Sequence, residues 1–290
     1  MIKKIEHLDY FVVKTLNRLE RWKYPKLKIE KDDTNVFLGS GNAGNVANLF
    51  TDKFNGISLN ASNYKRFFQR VVKKDFASIN IVNASGGKDG VNMASFLSQK
   101  GFSPNLITCN KNAPAKKFLK EENVFVFPSF AEPPTYNVST YSSMVYWLFR
   151  ENIKVIKNFI KKLKIPDLRK YKYIFFLASD KYNTIAKITS TKALETLEGI
   201  GANGDGFSNG GGHGMLTQPN KNRLIFCLNQ EYDLSPRENI YQLELDSYLG
   251  LLLSTYYVIG KNQTDKDTEN IFKNYLERAK KLGWQFNKIW

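Results

Sequence analysis

The chain has 290 residues, a formal net charge of +16, 42% hydrophobic and 14% aromatic residues. That composition excludes a disordered chain and leaves room for one large or two ordinary domains, each with its own core. No apolar run reaches the ~18 residues of a membrane helix. The lysines are spread along the chain, densest over Lys154–Lys172, without a zinc-finger or other nucleic-acid signature. The charge therefore reads as a solvated surface, and neither a membrane nor a nucleic-acid partner is expected.

In chain order, residues 1–34 begin with an amphipathic helical pattern whose frequent charges do not fit a signal peptide. Asn35–Leu38 reads as a strand that breaks at Gly39-Ser40-Gly41-Asn42-Ala43-Gly44, and a helix with Val46, Ala47, Phe50 and Phe54 on one face follows. A strand is expected near Ile57 and another at Ser78–Val82, leading into Asn83-Ala84-Ser85-Gly86-Gly87-Lys88-Asp89-Gly90 and a helix over about 91–100. Then come a strand at Asn105–Cys109, a helix near 113–121, a strand at Val124–Pro128, and a long helical pattern from Ser139 to Ile165. Tyr173–Leu177 is a strand, Tyr182–Leu197 a helix, Arg223–Leu228 a strand, and 241–257 and 270–282 are helices. Strands alternating with helices of about ten residues indicate parallel sheets, whose carboxyl edges carry ligand sites.

Three glycine-rich stretches stand out. Gly39-x-Gly41-x-x-Gly44 matches a dinucleotide fingerprint, but the next strand ends at Asn60 without the acid that would hold a ribose, so no nicotinamide or flavin is expected. Ser85–Gly90 sets small residues and Lys88 at a helix start, the arrangement of a phosphate cradle; a tight turn is the plain alternative. Glu195–Gly214 holds eight glycines and ends in His213, one of only two histidines. It is either a surface loop or a segment with a carboxylate and an imidazole suited to proton transfer. Cys109 and Cys227, far apart in apolar runs, read as buried reduced thiols. The scattered histidines and cysteines suggest no metal site, and no cofactor is expected.

Taken together, LGSGNAGNVA, NIVNASGGKDGV, EPPTYNVSTYSSM, FFLASDKYNTIAKITSTKALETLE and the terminal His213-Gly214 resemble the double-SIS (sugar isomerase) family. Members include archaeal phosphoglucose/phosphomannose isomerases and the isomerase part of glucosamine-6-phosphate synthase. The resemblance covers about 36–214 and implies an α/β fold of two SIS-type subdomains. Each would be a parallel sheet flanked by helices on both faces in a three-layer sandwich. The corresponding division is an N-terminal helical segment 1–34, a first subdomain 35–150, a linking helix 151–170 and a second subdomain 171–290.

The separated reduced cysteines and the N-terminal pattern make a cytoplasmic protein the default, and the resemblance further implies a homodimeric aldose–ketose isomerase acting on a phosphorylated sugar through a cis-enediol(ate). Asn83, Ser85, Gly87 and Lys88 would hold the phosphate, with Gly41 and Asn42 nearby. Glu195 would be the base, His213 the ring-opening acid–base, and Lys288 a completing lysine. Ala43 and Lys88 replace hydroxyl residues of the family pattern, which leaves open a phosphosugar-binding regulator without chemistry. The SGGKDG loop also nearly matches the SGGxDS loop of ATP pyrophosphatases, with Gly90 in place of the serine.

Overall fold

The computed structural model describes residues 5–72, 75–133, 135–209, 220–229 and 239–281. Continuous apolar runs became buried parallel strands, because a strand covered on both faces has no solvent side to show as alternation. β1 (Asn35–Gly39) and β8 (Arg223–Leu228) are buried along their whole length. Around them run α1 (Leu8–Leu16), α2 (Asn42–Phe54), β2 (Gly56–Asn60), α3 (Tyr64–Phe68), β3 (Ser78–Val82), α4 (Lys88–Gln99), β4 (Asn105–Thr108) and β5 (Val124–Val126). The chain continues through α5 (Val138–Phe149), α6 (Ile153–Lys161), β6 (Tyr173–Ala178), α7 (Asn183–Thr196), β7 (Gly201–Gly206), β9 (Asn239–Leu243), α8 (Tyr248–Lys261) and α9 (Asp265–Lys281).

The strands form two parallel sheets flanked by helices, ordered β2-β1-β3-β4-β5 and β7-β6-β8-β9. Both sheets repeat one plan: the first strand sends the chain to one side, and the third strand starts the other direction. The turns after β1 and β3, and those after β6 and β8, therefore flank a topological switch point, where open α/β sheets bind ligands. Among the described residues, no helix is long and apolar enough to cross a membrane.

The compact units are not the consecutive segments expected from chain order. One consists of residues 22–131, 143–148 and 277–290 and contains the first sheet; the other consists of 1–21, 132–142 and 149–276 and contains the second. The N-terminal helix belongs with the second sheet because it is pinned to α8. The Leu8 N–H donates to Gln263 Oε1 at 2.7 Å, and Lys261 pairs with Asp9 at 2.8 Å. In the first-sheet unit, Phe37, Phe50, Phe54, Phe127 and Trp147 pack ring against ring. A separate cluster is built on Val36, Leu38, Ile81, Met93 and Leu97.

Four local expectations need correction. The stretch read as a glycine loop contains the edge strand β7. At Gly204 a Cβ would lie 2.2 Å from the Ala186 carbonyl oxygen, so glycine lets α7 press directly on this strand. The long helix from Ser139 is two helices, divided where Arg150 takes φ 50 and Asn152 caps α6 through the Lys154 and Val155 N–H groups. The expected helix near 113–121 is a 3-10 turn over Pro114–Phe118, held by the Ala115 N–H on the Gly86 carbonyl. Residues 239–243, partly assigned to a helix starting at 241, form β9, and the helix starts at Tyr248 on a Ser247 cap.

Candidate functional site

The residues read as a phosphate cradle lie where β3 hands the chain to α4. Ser85 Oγ accepts the Gly87 N–H at 3.1 Å and donates to Asn83 Oδ1 at 3.3 Å, while the Gly86 N–H donates to the Asn83 carbonyl at 3.1 Å. Gly86 takes φ +61, and a Cβ there would lie 2.3 Å from that of Ala113. No other residue fits that conformation and that contact without displacing the neighbour.

The loop is braced from one side by the continuation of β4. The Cys109 N–H and the Thr108 hydroxyl both donate to the Ala84 carbonyl at 2.9 Å, and Asn110 Nδ2 donates to the Ser85 carbonyl at 2.9 Å. α4 begins at Lys88 with Gly87 as its N-cap, and no side chain caps it. The first-turn N–H groups of a helix lack intrahelical partners and carry its positive dipole end, so this is an arrangement for an anion. Lys88 is exposed at the same turn. The turn after the neighbouring strand β1 brings Gly41, at φ +55, and the buried Asn42 to the same sheet edge. Asn83, Ser85, Gly87, Lys88, Gly41 and Asn42 are thus gathered in one unit.

Glu195 lies in the other unit, near the end of α7. One helical turn before it, Lys192 is completely buried, and its Nζ donates to Glu195 Oε2 at 2.7 Å and to the Thr135 carbonyl. A buried ammonium requires such partners, since an unpaired charge would be expelled or neutralised. Thr135 has φ 74, which for a β-branched residue is strained backbone, and Asn137 at φ 49 shares the turn.

Upstream in the same turn, the Glu132 carboxylate accepts the Val138 and Ser139 N–H groups, both at 2.6 Å, and so caps α5. Burial pushes this carboxyl up to about 7 against the pull of those hydrogen bonds and of the Lys192 charge. Tyr256 is fully buried in α8, with Lys192 Nζ 5.8 Å from its ring centroid. Its hydroxyl has no hydrogen-bond partner among the described residues. Burial, with the Glu195 and Glu132 charges, holds that phenol well above its ordinary range.

His213 and Lys288 lie outside the described residues. The sequence alone assigns no role to Lys192, Glu132 or Tyr256. The sequence signal for Lys192 was its i−3 spacing from Glu195, which puts both on one helical face. Glu132 stood inside the EPPTYNVSTYSSM motif, but its role depends on where α5 starts, and Tyr256 looked like any apolar-helix aromatic.

No protein-family model and no curated protein sequence matches the chain. Solved structures do. Glucosamine-6-phosphate deaminase from Thermotoga maritima superposes with TM-score 0.60 at 13% identity, covering 91% of each chain. The C-terminal domain of glucosamine-fructose-6-phosphate aminotransferase from Francisella tularensis gives 0.62 at 12% identity, covering 92% of this chain and 95% of that one. Tagatose-6-phosphate ketose/aldose isomerase from Escherichia coli gives 0.56 at 13%, covering 88% and 87%. At such identities the likeness is one of fold, and it is the two-sheet SIS fold that the sequence resemblance implied.

Proposed function

We propose that the chain is a sugar-phosphate isomerase that moves a proton between neighbouring carbons of its substrate through a cis-enediol(ate). Phosphate binding is assigned to the Asn83–Lys88 cradle and to Gly41 and Asn42. Proton transfer is assigned to Glu195, with His213 serving ring opening and Lys288 completing the site. The observation that carries the reading is the ion pair between the buried Lys192 and the part-exposed Glu195. It presents a part-exposed carboxylate that can take a proton, held in place by a buried positive charge on the same helix. A protein that only sensed a phosphosugar would need neither group.

The fold supports the reading, since the similar structures include enzymes whose names specify phosphorylated sugars. The ATP-pyrophosphatase reading loses support at Gly90, where a Cβ would stand 3.0 Å from Asn83 Cγ and leave little room for the serine of that motif. We place the protein in the cytoplasm as a homodimer; two buried cysteines outside any disulfide fit a reducing compartment.

The test is solvent-deuterium exchange at the carbon next to the carbonyl, run over a panel of hexose, pentose and amino-sugar phosphates. Exchange is expected with at least one of them, and Glu195→Gln should reduce it by about two to four orders of magnitude, the usual worth of a general base. Undiminished exchange in the variant would remove Glu195 from the mechanism. Tight phosphosugar binding without exchange would favour the regulatory protein, a reading that the replacement of a family hydroxyl by Lys88 keeps open.

A further inference from the structure

Beside the cradle, in the same unit, the segments following β4 and β5 line an open cavity of about 440 Å³, within the range of small-molecule sites. Its apolar wall comes from Val126, Phe127, Pro128 and Phe130, and its polar side from Asn110, Lys111, Asn112 and Ser129. The lining contains no carboxylate. Asn110 is committed to the fold: it donates to the Ser85 carbonyl of the cradle and accepts the Asn112 N–H at 2.9 Å. The side chains of Lys111, Asn112 and Ser129 are uncommitted, with no hydrogen bond or ion pair among the described residues. The cavity therefore offers uncommitted donors and one ammonium, that of Lys111, which suits a ligand group made of acceptors.

The register fixes its distance from the cradle. β3, β4 and β5 are adjacent and in step (Val82 beside Ile107, Ile107 beside Phe125), so the ends of β3 and β5 are two strand spacings apart, roughly 9–10 Å. A hexose that carries an anionic group at each end is long enough to bridge that gap. The Asn110–Ser85 hydrogen bond ties the two places into one rigid edge.

We propose that this cavity is a second-anion subsite, which takes a carboxylate or phosphate borne by the same sugar whose phosphate occupies the cradle. The subsite makes an acidic phosphosugar a preferred ligand of the site over a sugar with one phosphate. The inference rests on the phosphosugar reading above. Phe127, Phe130 and Pro128 receive the apolar edge of the sugar, while Lys111, Asn112 and Ser129 receive the second anion through charge-assisted hydrogen bonds.

Calorimetric titration of the full chain with glucose 6-phosphate, glucose 1,6-bisphosphate and 6-phosphogluconate tests it. At least one two-anion probe should bind about tenfold more tightly than glucose 6-phosphate, the worth of one charge-assisted hydrogen bond. Lys111 is exposed, so Lys111→Met should fold normally; it should abolish that advantage while leaving glucose 6-phosphate affinity unchanged. Asn112→Ala should reduce the advantage in the same selective way. Advantage for the bisphosphate alone would identify a phosphate subsite, and advantage for phosphogluconate alone a carboxylate subsite. Equal affinity for all three probes, or an advantage that survives Lys111→Met, would overturn the subsite and leave the cradle standing. Failure of every probe to bind the wild-type chain would overturn a hexose phosphate as the ligand of the cradle, and the subsite with it.

Discussion

Glu132 is held between opposing forces. Two backbone N–H groups at the start of α5 and the Lys192 ammonium favour its ionised form, burial disfavours it, and burial wins, with the carboxyl pushed from 4.5 up to about 7. Because the folded-state value is raised, the group contributes full stability below about pH 4.5. That contribution is lost as pH rises through about 7, where the native state must pay for a buried charge that the unfolded chain solvates freely. Glu132→Gln keeps an oxygen for the α5 cap and cannot ionise. Between pH 4.5 and 8 the wild-type chain should therefore lose stability relative to the variant, by on the order of 3 kcal/mol, measured by denaturant unfolding. A stability difference that stays flat over that range would show that Glu132 is not held in this way. The residue was visible in the sequence, but its role was not. A cap is defined by the helix it caps, and a buried charge by the neighbours that bury it.

The elements show where periodicity is a sufficient signal and where it is not. β1, β3, β6 and β8 were legible because continuous apolar runs bounded by glycine or small polar residues leave few alternatives. β7 was illegible: Gly-Ala-Asn-Gly-Asp-Gly has almost no side chain to bury, and it is a strand because α7 and β6 impose the pairing. The break between α5 and α6 was hidden because the apolar spacing continues across it. It is set from outside, by Glu151, whose carboxylate accepts the Ser247 hydroxyl and the Tyr248 and Leu249 N–H groups, each at 2.7 Å, and so caps α8. The cradle is the best case of legibility, since its glycines carried the signal and the structure shows why they are required. Gly86→Ala should cost about 2 kcal/mol or more, from a left-handed backbone and a 2.3 Å clash with Ala113. Phosphate affinity should fall with it. A melting temperature unchanged within about 1 °C would mean that the loop yields freely and is no rigid cradle.

The whole chain repeats one sheet plan twice, and the two copies have diverged in charge at the same edge. After β1 and β3 the described turns offer an uncapped helix start and Lys88. After β6 the turn offers Asp180, whose carboxylate already occupies local donors: it accepts the Ser208 N–H at 3.0 Å and the Ser208 hydroxyl at 2.5 Å. Those hydrogen bonds hold Asp180 below the usual carboxylate range, so it remains an anion. Beyond β9, Asp246 accepts from Lys181 at 2.5 Å and from the Tyr182 hydroxyl, which neutralises the lysine of that turn. A phosphate brought to the turn after β6 would meet the fixed carboxylates of Asp180 and Asp246, and like charges at such distances repel. One sugar phosphate per chain follows. Titration with glucose 6-phosphate should give a stoichiometry near one, and Gly86→Ala should remove most of the binding heat. Two equivalents per chain, or a strong residual site in that variant, would show that the second edge has kept the anion-binding role its topology allows.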